Sequence, residues 1–141
     1  EAPAGTGLDA ARGAIDRLFA ADRYEEVLAA LRADGGEWAG RQLAALATKS
    51  PQTVKLALRQ LRQGGACTDF AANMRMEYRI ACHVIRRPDL VEGVRAVIFD
   101  KSNDPQWNPA TPEAVSDELI DSFFAPPPSG REWSPFPELE N

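Results

Sequence analysis

Apolar residues recur every three or four positions along most of this 141-residue chain, which is the spacing of an amphipathic helix. Strands would alternate apolar and polar residues, and no stretch does so convincingly. Ser50-Pro51 and Thr111-Pro112 have the composition of helix starts, and Gly35-Gly36 and Gly64-Gly65 that of helix ends. The pattern predicts an all-α array of about six or seven short helices.

The same spacing assigns a buried face to each later helix. The predicted buried residues are Val54, Leu58 and Leu61 in the fourth helix, Phe70, Met74, Ala81 and Ile85 in the fifth, and Val91, Val94 and Ile98 in the sixth. Glu77 lies on the strip between Met74 and Ala81, among packed neighbours. Because a buried carboxylate is costly without a cationic partner, this position predicts a structural ion pair.

Proline and asparagine residues between positions 102 and 112 predict a loop. From Ala125 onward the helical period is lost, and Pro126-Pro127-Pro128 precedes a polar stretch with two aromatic residues. We interpret residues 1–124 as a helical domain. Residues 125–141 form a proline-rich tail, which we expect to lie as an extended arm over the surface or to be mobile.

Charge and residue inventory exclude several classes of function. The chain has 16 Lys and Arg against 21 Asp and Glu, a net charge of −5, which argues against a nucleic-acid partner. No apolar run reaches the roughly 18–20 residues of a membrane helix. Cys67, Cys82 and the lone His83 are too few for a disulfide framework, a zinc site or a nucleophile with an oriented base. We expect no metal site and no self-sufficient active site.

A basic stripe on the fourth helix leaves one alternative open. Lys55, Arg59 and Arg62 are spaced to lie on one side, opposite the predicted apolar face. Such a stripe is typical of the solvent side of an amphipathic helix, but it could also receive a phosphate-bearing ligand such as CoA.

Five short motifs follow one another in a recognisable order. They are Ser50-Pro51 with Lys55 and Leu58-Arg59-Gln60-Leu61, then Met76-Glu77-Tyr78-Arg79, Glu92-Gly93-Val94-Arg95-Ala96, Asp100-Lys101, and finally Pro105, Trp107 and Pro109 at alternate positions. In this order and spacing they resemble the C-terminal region of 3-hydroxyisobutyryl-CoA hydrolases, a branch of the enoyl-CoA hydratase/isomerase (crotonase) superfamily. Residues 15–124 carry the resemblance. Leu90 departs from it, since the family commonly has Phe there.

The resemblance implies a parent enzyme that hydrolyses the thioester of 3-hydroxyisobutyryl-CoA in valine catabolism. In that family two backbone N–H groups stabilise the oxyanion, and a Glu activates water or attacks directly. These groups belong to an N-terminal β/α spiral core, which is expected outside this chain. No catalytic residue is therefore expected here, and the chain alone is expected to be inactive. No separate cofactor is implied, because coenzyme A is part of the substrate.

Site residues follow from the same resemblance. Lys101 is the nearest match to a lysine of the family that helps to hold the nucleotide end of CoA. One residue more than in the family separates it from Glu92-Gly93. The alternative is that Lys101 is a surface lysine at a helix end. The expected structural residues are Glu77, Arg79, Glu92 and Arg95, the last two bridging adjacent helices, and Trp107, which anchors its loop on an apolar surface. The implied partners are the acyl-CoA substrate, the N-terminal core, and further copies of the chain through its apolar faces.

Three alternatives stay open: the C-terminal region of an enoyl-CoA hydratase/isomerase, an acyl-CoA carrier bundle, and a stand-alone helical interaction module without enzymatic role. The chain begins at Glu1 rather than Met, which favours a processed product or a piece of a larger protein. Its Ala- and Arg-rich composition predicts a cytoplasmic location. Relatives in the family also work in mitochondria, so the mitochondrial matrix is the alternative.

Overall fold

The computed structural model describes residues 7–136, and within them every regular element is helical, as predicted. The described residues form two compact units, 7–49 and 50–136. Seven α-helices occupy them: α1 Gly7–Leu18, α2 Tyr24–Asp34, α3 Glu37–Ala47, α4 Pro51–Ala66, α5 Phe70–Val84, α6 Pro88–Val94 and α7 Asp117–Ser122. A π-helical segment, Arg95–Phe99, continues α6, and a 3-10 turn, Pro112–Ala114, precedes α7.

The first unit is built on the helical hairpin of α2 and α3. Gly35 ends α2 with a φ of 65°, a left-handed conformation in which a Cβ would be strained. Fully buried Val27 and Leu31 from α2 and Ala39 from α3 form the core of this unit. Arg17 of α1 donates to Asp34 at 2.8 Å, which ties the first helix to the hairpin.

The second unit has its core where α4 packs on α5 and α7. The core residues are Leu56, Ile80, Val115, Ile120 and Phe123, with Met76 and Phe124 packed against them. The Ser50-Pro51 start is confirmed, because the Ser50 hydroxyl accepts a hydrogen bond from the Thr53 N–H at 3.3 Å. The Thr111-Pro112 pair begins only the 3-10 turn; α7 starts after Ser116, whose hydroxyl accepts from the Leu119 N–H at 3.1 Å.

The predicted face of α4 is wrong in part, since Val54 and Leu58 are only half-buried. Leu61 is 74% exposed, whereas Leu56 is buried. The side facing α7 carries Lys55, which donates to the Val115 carbonyl at 2.9 Å, and Arg59, which pairs with Asp121 at 3.0 Å. Two members of the basic stripe therefore bind oxygen atoms of α7 and of the residues just before it. Their long side chains extend across the edge of the core to reach these oxygens.

The predicted faces of α5 and α6 are also wrong in part. On α5, Phe70 and Ile85 are exposed and Ile80 is the buried residue. Glu77 is exposed as well, so its predicted burial is wrong; its carboxylate accepts from the Asn73 amide at 3.2 Å. Beyond α6, Ile98 is 63% exposed and Ala96 is buried. Met74 and Val94 are half-buried, whereas the other apolar residues that were expected to form the core here are exposed.

The proline-rich tail runs back along α5, and residues 125–136 of it are described; we call this segment the strap. Pro127 is buried, and the ring of Trp133 lies 5.7 Å from that of Tyr78 on α5. The domain boundary between residues 124 and 125 stays a prediction.

Candidate functional site

Helix α6 and the π-helical segment hold a loop, residues 100–109, against one side of themselves. We call these three pieces together the α6 hairpin. Glu92 sits at its centre: its carboxylate accepts from Arg95 Nε at 2.8 Å and Nη2 at 2.6 Å, and from the Gln106 N–H at 2.6 Å. Arg95 also donates to the Asp100 carboxylate. Glu92 and Arg95 thus join α6 to its own loop, whereas the sequence predicted that they bridge adjacent helices.

These bonds change the ionisation of both groups. The Arg95 guanidinium, and then the Gln106 N–H, lower the pKa of Glu92 from 4.5 to about 2. The Glu92 and Asp100 carboxylates in turn raise the pKa of Arg95. Both groups are therefore charged throughout the physiological range.

A pH titration tests this arrangement. Because the pKa of Glu92 is lower in the folded chain than in the unfolded chain, the pair stabilises the fold above pH 4.5 and loses that effect as the pH falls towards about 2. We expect the 13C signal of the Glu92 carboxyl to titrate with a midpoint near 2. A midpoint near 4.5 would contradict the hydrogen bonds that Glu92 accepts from Arg95 and Gln106.

A second anchor holds the far end of the loop. Asp89 of α6 is only 5% exposed, yet both its carboxylate oxygens have partners. The Ser50 hydroxyl donates to one oxygen, and the Asn108 N–H donates to the other at 2.9 Å. Asp89 therefore ties the start of α4, the start of α6 and the end of the loop together.

Trp107 packs against the glycine of the Glu92-Gly93 motif. A Cβ placed at Gly93 would lie 3.3 Å from the Trp107 ring, closer than an ordinary contact. A hydrogen at this position lets the six-membered ring of the indole approach the α6 backbone closely. Trp107 thus contacts α6 itself. Its expected role as an anchor of the loop on an apolar surface stays a prediction.

Lys101 lies at the tip of this arrangement, exposed and just past the π-helical segment. Its φ of 52° is left-handed, as is that of Asn103 at 55°. A non-glycine residue in this conformation is strained, and such residues cluster at functional sites. The Glu92 and Asp89 contacts hold the loop that imposes this geometry. Binding of CoA by Lys101 stays a prediction.

The opposite side of α6 and the π-helical segment is apolar and exposed. Its members, which we call the apolar face, are Leu90, Val91, Val97, Ile98 and Phe99, all more than 40% exposed. A group of exposed large apolar side chains on one short segment is typical of a surface that meets a partner.

Arg79, expected to be structural beside Glu77, binds the strap instead. Its guanidinium pairs with Glu132, with Nε 2.9 Å from Oε1. Among residues 7–136 no cluster of three metal-ligating side chains exists, and no helix there has the length and hydropathy to cross a membrane. In the same residues we assign no nucleophile with an oriented base.

The buried Asp89 was missed by the sequence analysis. Asp89 lies in the first turn of its helix, directly after Pro88, where a carboxylate interacts favourably with the helix dipole. The sequence therefore indicates that Asp89 lies at a helix start, but it does not indicate that Asp89 is buried. Its partners are 39 and 19 residues away along the chain, and no local pattern predicts such contacts.

Comparison with known proteins agrees with the resemblance. The family model for enoyl-CoA hydratase/isomerase matches residues 1–124. The chain is 43% identical over 119 residues to the mitochondrial 3-hydroxyisobutyryl-CoA hydrolase of Gallus gallus, and 32% identical over 121 residues to that of Dictyostelium discoideum. These matches cover 84% and 85% of this chain but only 31% and 32% of the relatives' length.

Solved structures give the same assignment. A carnitinyl-CoA dehydratase from Mycobacterium thermoresistibile matches with a TM-score of 0.83 at 32% identity, covering 89% of this chain and 36% of that protein. An enoyl-CoA hydratase from Rhodobacter sphaeroides matches with a TM-score of 0.82, also at 32% identity, covering 92% and 38%. The family predicted from the five motifs is therefore confirmed: the chain belongs to the enoyl-CoA hydratase/isomerase family of the crotonase superfamily.

Proposed function

We propose that this chain is the C-terminal helical region of a CoA thioester hydrolase that acts on 3-hydroxyisobutyryl-CoA. In this proposal the chain covers the acyl-CoA pocket and contributes to assembly, while the catalytic groups lie in the rest of the parent enzyme. The chain spans about a third of the length of the hydrolases that it matches, at up to 43% identity. It follows that the isolated chain is inactive.

The apolar face is the observation that carries this proposal. Val91 of α6 is 69% exposed and Phe99 of the π-helical segment is 76% exposed, although Glu92 and Asp89 of the same α6 hairpin are bonded to its loop. Burial of such side chains contributes about 1.5–3 kcal/mol each, so leaving them exposed forgoes a large stabilisation. The N-terminal core of the parent enzyme is the proposed cover. In the isolated chain the same face drives self-association, which sedimentation velocity at several concentrations would detect.

A hydratase is the second candidate, because both solved structures reported above are named as enzymes that add or remove water. Assay of the parent enzyme with two thioesters distinguishes the two. The hydrolase proposal expects release of free CoA from saturated 3-hydroxyisobutyryl-CoA and little change in an unsaturated thioester. Hydration of the unsaturated thioester without CoA release would favour the hydratase. A stand-alone helical module is the alternative of another class; an upstream reading frame that encodes the β/α spiral core would exclude it.

We further propose that Lys101, in the loop of the α6 hairpin, contacts a phosphate of CoA. Two substitutions separate charge from backbone strain. Lys101→Ala and Lys101→Gly both remove the ammonium group, so each should raise the KM of the parent enzyme for the thioester about tenfold and leave kcat unchanged. Only the glycine relieves the strain at a φ of 52°, so it should stabilise the chain by about 1 kcal/mol relative to alanine in urea unfolding. An unchanged KM in both variants would remove Lys101 from the site.

The cellular compartment is likewise a proposal. Composition favours the cytoplasm, whereas the relatives from Gallus gallus and Dictyostelium discoideum are named as mitochondrial. Microscopy of the tagged parent protein in its own cell would distinguish the two.

A further inference from the structure

The strap is held along α5 by side-chain contacts at regular intervals. The His83 ring nitrogen Nε2 lies 3.3 Å from the Ala125 carbonyl and 3.2 Å from that of Pro126. Arg79 pairs with Glu132, and the Arg75 guanidinium donates to the Ser134 hydroxyl at 3.5 Å. At the far end, the rings of Phe70 and Phe136 are 6.2 Å apart. As the chain advances from 125 to 136, its partners on α5 run backwards from 83 to 70. The strap is therefore antiparallel to the helix.

A cavity of about 300 Å³ lies beside the centre of this contact. Its polar lining comes from Gln63, Arg75 and Arg79, and its apolar lining includes Cys67, Met76 and Phe124. This volume is at the small end of ligand pockets. Two arginine side chains beside an apolar lining suit a ligand that has an anionic end and an alkyl end.

Glu132 shows how an anion engages Arg79, one of the residues that line the cavity. Arg79 Nε lies 2.9 and 3.2 Å from the two carboxylate oxygens of Glu132, and Nη2 lies 2.9 Å from Oε1. This is the forked geometry in which Arg binds carboxylates. The Arg79 and Glu132 side chains are 35% and 41% exposed, and ion pairs this exposed contribute little net stability. An external carboxylate can therefore compete with Glu132 for Arg79.

We propose that this cavity binds a small aliphatic carboxylate through Arg79, and that Glu132 of the strap pairs with Arg79 in its absence. The ligand's carboxylate takes the place of Glu132 on Arg79, and its alkyl group contacts Met76 and Phe124. Inorganic phosphate would gain nothing from the apolar lining, which is why a carboxylate is favoured. The lining of the cavity shares no residue with the α6 hairpin, which carries Lys101.

Isobutyrate is the probe, with isobutyramide as its neutral isostere and inorganic phosphate as the anion without an alkyl group. Each is titrated into the 15N-labelled 141-residue chain while the Arg79 Nε–H and Trp133 indole N–H signals are followed. Isobutyrate should shift both signals and isobutyramide neither. Glu132→Gln removes the internal competitor, so it should tighten isobutyrate binding about threefold to fivefold. Arg79→Lys keeps the charge but loses the fork, so it should weaken binding.

Several results would overturn the proposal. Equal binding of phosphate and isobutyrate would show a simple anion site, and equal binding of isobutyramide would show that the carboxylate is not recognised. Absence of any isobutyrate-induced shift in Glu132→Gln would exclude the site altogether. Since none of the probes contains CoA, failure here leaves the function proposed above untouched.

Discussion

Phe123→Ala is expected to lower the free energy of unfolding of the 50–136 unit by about 3–5 kcal/mol. Phe123 is 1% exposed and lies in the core where α4 meets α5 and α7, together with Leu56 and Ile80. Truncation to Ala removes the ring from this core and leaves a cavity that the short α7 can fill only in part. Urea unfolding followed by far-UV circular dichroism measures the effect as a change in midpoint.

Phe99→Ala is the matched control, since it makes the same chemical change at a residue that is 76% exposed. In the 141-residue chain it should alter the free energy of unfolding by no more than about 0.5 kcal/mol. In the parent enzyme the expectation reverses, because there the proposed core covers the apolar face. If Phe99→Ala were silent in both proteins, the apolar face would not be an internal interface.

Asp89→Ala is expected to cost about 2–3 kcal/mol, the second largest effect. The substitution leaves the Ser50 hydroxyl and the Asn108 N–H without their acceptor, although the group that they bind is nearly buried. It also frees the end of the loop that carries Lys101. We therefore expect both a lower urea midpoint for the chain and a higher KM for the thioester in the parent enzyme.

Asp104→Ala is its control, because Asp104 is an exposed carboxylate in the same loop. It should leave the urea midpoint and the KM close to those of the unsubstituted protein. Equal effects of the two substitutions would mean that Asp89 acts only through its charge and not through its two hydrogen bonds.

Local signals in the sequence predict the helices well, because caps and spacing depend on near neighbours. Ser50-Pro51 starts α4 as expected, and the loop after the π-helical segment lies where prolines predicted it. The buried faces fail for a different reason. Periodicity shows that Leu61, Val91 and Ile98 line up on apolar stripes, but it does not show which stripe is covered within this chain.

Some contacts of the candidate site are likewise predictable from the sequence, and others are not. Glu92 and Arg95 are three residues apart on one helix, so their pairing is predictable from spacing. The contacts of Asp89 with Ser50 and of Arg79 with Glu132 join residues 39 and 53 positions apart, and only the folded chain reveals them. The family resemblance, by contrast, is readable from five motifs because their order and spacing are preserved along the chain.

The most direct test of the central proposal is an assay of CoA release from 3-hydroxyisobutyryl-CoA by the parent enzyme and, at equal concentration, by the 141-residue chain. A thiol reagent detects the freed CoA. The account predicts turnover by the parent enzyme and only the spontaneous rate with the chain alone, because it assigns the oxyanion donors and the catalytic carboxylate to the rest of the parent enzyme. Turnover by the chain alone, or none by the parent enzyme, would contradict it.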